Sequence, residues 1–470
     1  MELPSRFGRL GLACGAILAA AVVFASTTFS AAPPKAPAGV TFTKDIAPIL
    51  QRSCQTCHRP DSIAPMSLLT YEQARPFARA IRQVTAARQM PPWFIEKNVG
   101  IQHFLEDSSL SDADLATIAA WVDAGAPQGD PSHMPPPKKF AEAREWALGK
   151  PDLIVKGPDF TMEATVPDWW GQLGTVPTGL TEDRYVASAE FREVNDIPPG
   201  RSTSSTVGGL NIFHHASVTV LGPDGRPSPD SAIPAHEVGR NGDLFDPEAG
   251  RLLKAGSSIV FNNNHLHANG RRTTGRLEIG LRFHPKGYKP RINIRGIYFG
   301  TTEIDVKGNE ANQRIDAYYT LPFNAKIVNF EPHMHATAVR MCFEGIYGDQ
   351  ITTFSCAGYN HSWVRNYQYA PDSAPLVPKG TILHVIGWFD TTPKNPRTID
   401  YRNWTGSGNR SVDNMFISLS FAAVLTDEQF AEEVALREQR AAAGKGELIG
   451  CLTCGVRAEK TPPAQTASVQ

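Results

Sequence analysis

The chain has 470 residues, with 46 Lys and Arg against 47 Asp and Glu, for a net charge of −1. That length exceeds one ordinary core, so two or three domains are expected. The charge balance gives no broad basic field for nucleic acid or acidic lipid. The 39 Gly and 37 Pro suit turn-rich β domains.

Residues 1–32 read as an export signal. Arg6 and Arg9 precede the apolar run "LGLACGAILAAAVVFA", and small residues follow in "FSAAPP", with cleavage expected near Ala32. An uncleaved anchor is the rival reading, because the run is nearly long enough to span a bilayer. It is the one membrane contact the sequence offers. Cys14 lies inside the run in poor lipobox context and reads as part of the signal. The other six cysteines fall into three pairs, which suits an oxidising compartment. An exported, periplasmic protein is expected.

"AAPPKAPAG" (31–39) is a Pro/Ala linker, and helical patterning follows over 40–127. Ser111 with Asp114 makes a capping box, Leu115, Ile118 and Trp121 supply the apolar period, and Gly125 with Pro127 closes the helix. This small all-α segment contains "SCQTCHRP", residues 53–60. Cys54, Cys57 and His58 fit the attachment signature of haem c, in which two thiols add to the vinyl groups and the next histidine lies under the iron. The bland alternative is a CxxC disulfide followed by a chance histidine. Haem attachment of this kind occurs outside the cytoplasm, in agreement with the export signal. For the distal ligand Met90 in "RQMPPWF" is favoured, because it stands at a helix end ahead of Pro91 and Pro92. A thioether there would raise the potential. Met66 in "IAPMSLL" reads more simply as core packing, and His103 is a weaker third candidate.

Residues 128–160, with the Pro triplet of "GDPSHMPPPKKF", read as a second linker. Beyond them the pattern turns to β. "RYVASAEF", "FHHASVTVLG", "SSIVFNNN", "RLEIGLRFH", "RINIRGIYFG", "KIVNFEPHMHA", "VRMCFEGIYG", "QITTFSC", "ILHVIGWFD" and "NMFISLSFAAV" are short β-branched or aromatic runs. Turn signals such as "GPDGRP", "ANGRR" and "YGDQ" separate them. Two antiparallel β-sandwiches are expected, over 161–305 and 306–435. "TDEQFAEEVALREQRAAA" reads as a helix, and 436–470 completes that helix and adds a tail.

Three histidine groups stand out among the 13 histidines: His214-His215, His265 with His267, and His333 with His335. An HxH on a strand sets both imidazoles on one face, because side chains alternate with period two. Adjacent histidines point to opposite faces unless a strand end or a bulge turns one of them. At least one metal site is expected. Zinc would accept three imidazoles, and copper suits imidazole and, when reduced, a thioether such as Met415.

In this order "FHHASV", "NNHLHANG", "EPHMHATAVRM", "GWFDTTPKNP" and "SVDNMF" resemble the copper-dependent, ascorbate-type monooxygenases, the family of the peptidylglycine α-hydroxylating and dopamine β-monooxygenases. The resemblance covers roughly residues 165–425. The front segment resembles the cytochrome c module fused to bacterial relatives of those enzymes. The family implies two jelly-roll-like domains with one copper each, the two ions being uncoupled. His214, His215 and either His265 or His267 would hold the electron-transfer copper. His333, His335 and Met415 would hold the oxygen-activating, catalytic copper. O2, a small-molecule substrate and an electron donor are the implied partners. The chain departs from the peptide-hydroxylating enzyme at two positions that grip a substrate carboxylate: Glu331 stands for an arginine and Leu419 for a tyrosine. A peptide carboxylate is therefore not the expected substrate.

Two other classes compete. A pure electron-transfer protein would join the cytochrome to a blue-copper domain, and "CAGYNHSWVRNY" offers Cys356 and His361 for it. A zinc hydrolase or structural metal module is the third. Cys342 and Cys356 flank a hairpin centred near Asp349 and are expected to form a disulfide. Cys451 and Cys454 in "CLTCG" lack a following histidine, so a local disulfide is favoured over copper capture.

Overall fold

The capping box at Ser111 forms as read. Ser111 Oγ accepts the Asp114 N–H at 3.1 Å and Asp114 accepts the Ser111 N–H at 2.8 Å, opening the helix Asp112–Asp123. Ile118 and Trp121 face inward, and Gly125, at φ +85°, ends the helix in the left-handed region that glycine tolerates best. Short helices over Phe42–Ser53 and Tyr71–Ala86 pack against it through Phe42, Ile46, Leu50, Ala78 and Ile81. The computed structural model describes residues 39–60, 62–140, 145–198, 209–228, 231–237 and 242–455. The expected signal segment and the tail beyond 455 lie outside these. No helix among the described residues is long and apolar enough to cross a membrane.

The rest is mostly antiparallel sheet, and every one of the ten β runs contains strand. Two sheets make the first β unit. One orders Leu153–Lys156, Thr273–Phe283, Arg184–Asn195 and Leu252–Leu253; the other orders Trp169–Gly171, Ser258–Leu266, Phe213–Leu221 and His236–Glu237. Phe213, Ile259, Phe261, Leu277 and Ile279 fill the space between them. Each fully buried side chain of this size stabilises by about 1.5–3 kcal/mol relative to exposure. The second unit pairs a sheet built around Phe416–Leu425 and Ile292–Gly300 with one ordering Gln313–Thr320, Ile382–Phe389, Ala338–Tyr347 and Gln350–Gly358. Phe330, Phe343, Phe389 and Phe416 form its core.

Two boundaries differ from those read in the sequence. Strand begins at Leu153, inside the segment read as linker, because Leu153–Lys156 pairs with Thr273–Phe283. Ile292–Gly300 pairs along its length with Phe416–Leu425, so it belongs to the second unit and the division falls before residue 292 rather than at 305. Local alternation identifies a strand but carries no record of its partner.

The α unit is docked, not tethered. Its aperiodic stretch 93–105 runs along the edge of the second β unit. Glu96 N–H donates to Cys356 O at 2.9 Å, Ile101 N–H to Phe354 O at 2.8 Å, and Gly358 N–H to Phe94 O at 2.9 Å. Further along, Leu105 N–H donates to Gln368 O and Phe104 stacks on Tyr369 at 5.1 Å. Arg340 grips Glu96, with Nη2 2.8 Å from Oε2, while its guanidinium lies 4.3 Å over the Trp388 ring. Covering a sheet edge with chain in this way satisfies backbone groups that would otherwise invite pairing with other molecules. Gly100 sits at φ +59° against the Phe354 carbonyl, and any Cβ there would collide with it. Gly100→Ala should therefore loosen the dock. Limited proteolysis should cut the 93–105 segment faster than in wild type; equal protection would contradict the packing described.

Strands Ala338–Tyr347 and Gln350–Gly358 turn through Gly348-Asp349, and Cys342 stands directly opposite Cys356. The two are bonded, closing a loop with a sequence separation of 14. The chain-entropy model assigns such a loop about 3 kcal/mol. Cys451 is bonded to Cys454, which leaves no thiolate pair there for copper. The helix Asp427–Ala442 starts at a Thr426–Gln429 capping box.

Candidate metal centre and adjoining pocket

His214 and His215 reach one side of their sheet through a bulge. In the pairing of Phe213–Leu221 with Ser258–Leu266, His215 faces His265 and Phe213 faces Leu266, so His214 has no partner in the register. A second irregularity falls at Asn263, which takes φ +45°. A bulge turns the strand and re-aims a side chain. It places the two Nδ1 atoms 3.2 Å apart. The strand start is pinned by Glu193, whose carboxylate accepts Ile212 N–H at 2.9 Å and Phe213 N–H at 3.0 Å. One ring nitrogen from each of His214, His215 and His265 lies within 4.8 Å of the others, a spacing that could hold a metal ion.

His265 is oriented from behind. Its Nε2–H donates to Asp168 at 2.8 Å and its ring stacks on Trp170 with centroids 4.7 Å apart. Its Nδ1 is buried and has no partner. A carboxylate that holds one imidazole nitrogen and frees the other is a common outer shell of a metal ligand. The hydrogen bond from His265 also holds the Asp168 carboxyl below its ordinary range. His267 differs. Its Nε2 is 3.2 Å from the Asn211 carbonyl, and its ring meets that of His214 edge-on, with centroids 5.7 Å apart. Between the two candidates left open by the sequence, the geometry favours His265.

His333 and His335 lie on one side of the chain around Pro332–Met334, with ring centroids 5.6 Å apart, while Met334 between them is buried in the core. Both have an unpartnered buried Nδ1, and Glu237 Oε1 stands 3.8 Å from that of His333. His333 pairs with Ile417 and Met334 with Phe416. Met415 stands one residue ahead of the strand Phe416–Leu425, as His335 stands one residue past its partner Pro332–Met334.

The two sets are neighbours. His215 lies 5.5 Å from His333, and His361 lies 5.7 Å from His214 and 5.1 Å from His335. The family resemblance implies separate, uncoupled sites; here the rings form one continuous cluster where the β units meet. Burial, reinforced by neighbouring imidazoles, favours the neutral form of five of these rings. It lowers His333, His335 and His361 to about 3, and His214 and His215 well below the usual range. Neutral imidazole is the form that binds metal. By contrast His384, outside the cluster, has both ring nitrogens occupied, by Asp316 at 2.7 Å and Glu344 at 3.2 Å.

A cavity of about 420 Å³ adjoins the cluster. Cys54, Cys57, His58, Met90 and Pro91 line one side; His214, His267 and Trp363 line the other. Its volume lies within the usual range for cofactor sites. Cys54 and Cys57 are not bonded to each other, and burial pushes the Cys54 thiol up to about 12. His58 Nδ1–H donates to the Met66 carbonyl at 3.2 Å, which leaves Nε2 as the free lone pair. Met66 packs its side chain into the α core, whereas Met90 lines the cavity. Met90 is held there by its N–H to Val84 O at 3.3 Å, just past the helix Ala78–Ala86. His103 is exposed on the docking stretch and does not line this cavity. A larger, more open groove of about 1040 Å³ runs along the α–β seam and contains neither cysteine.

Sequence reading passed over His361 as a partner of the HxH, and Asp168 and Trp170 altogether. None belongs to a spaced pattern, and each meets the cluster only through long-range folding.

No family model matches the chain, and no curated protein does. Among solved structures, the chain is similar to the major capsid protein P2 from Bacteriophage PM2, at 8% identity over 59% of this chain and 98% of that one, with a TM-score of 0.28. It is also similar to the N-terminal tandem CBM22 domains of Xyn10C from Paenibacillus barcinonensis, at 8% identity over 57% and 83%, with a TM-score of 0.15. Likenesses at these scores carry no argument about function.

Proposed function

We propose that the chain is an exported copper monooxygenase with a built-in cytochrome: an α domain carrying haem c, followed by two jelly-roll-like copper domains. The observation that carries this reading is the shared cavity, in which the CxxCH segment and Met90 face His214 and His267 across one space. Haem bound there would supply electrons one at a time, and copper would store them and take up O2.

The residues fit both groups. Cys54 and Cys57 offer two free thiols to one cavity, and His58, with its Nδ1–H held by Met66, offers Nε2. His214, His215 and His265 offer three closely spaced ring nitrogens to the electron-transfer site. His333 and His335 offer two imidazoles to the oxygen site, and Met415, one residue ahead of the strand paired with their segment, would add a thioether. A soft ligand suits a reduced copper that must persist until O2 arrives. Hydroxylation of a C–H bond by O2 consumes two electrons and two protons beyond the bond itself and yields the alcohol and water. Ring contact between the two histidine sets shortens the path those electrons must travel. Two disulfides support an oxidising, periplasmic setting.

The blue-copper alternative loses its thiolate, because Cys356 is bonded to Cys342. Zinc would suit three imidazoles equally well. Metal analysis of the purified protein separates the two: about one iron and about two coppers per chain are expected, and zinc in their place would overturn the reading.

If Met90 is the distal iron ligand, Met90→Ala should remove the weak red absorption band of a Met–haem pair, whereas Met66→Ala should keep it. The reverse result would transfer the role to Met66.

A further inference from the structure

The five rings of His214, His215, His333, His335 and His361 form a closed circuit. Successive centroids lie 5.5, 5.5, 5.6, 5.1 and 5.7 Å apart, the last distance returning from His361 to His214. Four of these residues come from the motifs read in the sequence. The fifth, His361, comes from the short 3₁₀ turn His361–Trp363, which Asn360 caps by accepting the Ser362 N–H at 3.0 Å.

We infer that His361 is a metal ligand. It would complete the site of His333 and His335 through Nε2 and stand on the border with the site of His214. Three observations support this. Its Nε2 is buried and has no partner, in a residue only 9% exposed. Its Nδ1–H donates to the Met334 carbonyl at 3.3 Å, which fixes the tautomer so that Nε2 carries the lone pair. A ligand histidine is commonly oriented in just this way, by a backbone carbonyl on its other nitrogen. That carbonyl belongs to the residue between His333 and His335, so one short segment supplies two of the ligands and orients the third. His384, away from the cluster, instead has both ring nitrogens occupied.

This inference rests on the metal-centre reading but not on oxygenase chemistry, and its test separates the two. The full chain with its haem, stripped of other metals, is titrated with Cu(II) and, in parallel, with Zn(II) against a chromophoric competitor. His361→Asn keeps an amide to donate to the Met334 carbonyl and removes Nε2; His361→Gln is the second variant should the first not fold. We expect loss of roughly 10-fold or more in affinity for one of the two ions, the lower bound set by what outer-shell changes alone cost. The Cu(II) resonance spectrum should also lose imidazole nitrogen coupling, while thermal stability stays near wild type. Both ions retained at wild-type affinity with unchanged nitrogen coupling would overturn the inference. A protein that binds Zn(II) in a His361-dependent way but carries out no oxygenation would sink the monooxygenase reading and leave this ligand assignment standing.

Discussion

Replacing Cys54 and Cys57 together with serine should abolish covalent haem. After denaturation the wild-type chain should carry its full haem stain and the double variant none. The reason lies in the chemistry of the site: the thioether bonds need two thiols in one cavity, and these two line it unbonded to each other. His58 would remain, since its Nδ1–H bond to the Met66 carbonyl does not depend on the thiols, so loosely held haem could persist. Cys54 packs only against the margin of the α core built on Phe42, Leu50 and Trp121, and neither sulfur is bonded, so the domain should still fold and dock. Full stain in the double variant would refute the assignment of the motif.

Met415→His should keep metal at the second site and lose hydroxylation by on the order of 100-fold or more, the upper end of what altered outer shells cost metal sites. Imidazole is as good a ligand as thioether in number, so metal content should survive. What is lost is the soft donor that favours reduced copper. Loss of His214 should act at the other site, removing about one copper per chain and leaving the second able to bind carbon monoxide when reduced. Full oxygenase activity in the Met415 variant, or loss of carbon monoxide binding in a folded His214 variant, would contradict this division of labour.

Much of the architecture was legible because its signals are local. β-branched and aromatic runs bounded by turn signals marked "FHHASVTVLG" and "SSIVFNNN" as strands, and the hairpin centred near Asp349 told that Cys342 would face Cys356. The Ser111 box named its helix start to the residue. What stayed hidden depends on partners far along the chain. The stretch 93–105 has no period of its own; its structure comes from pairing with residues 354–370. The bulge that swings His214 beside His215 is a property of the strand pair, and the sequence offered it only as a condition for shared ligation. His361 follows "CAGYN" with no second histidine at a strand or helix spacing. A chain-capping Asn just before it is the one local sign that the ring is held in place. The merging of the two histidine sets into one cluster follows from how the β units meet, which no motif encodes.

The central claim is that the haem cavity and the histidine cluster form one electron path. Rapid mixing under anaerobic conditions tests it most directly: protein with reduced haem and empty metal sites is mixed with excess Cu(II), and the haem absorbance is followed. The account predicts haem oxidation at a rate independent of protein concentration once copper is bound, and its loss in a His214→Ala variant that still folds. Haem that stays reduced with both coppers bound, or that oxidises only by collision between molecules, would contradict it.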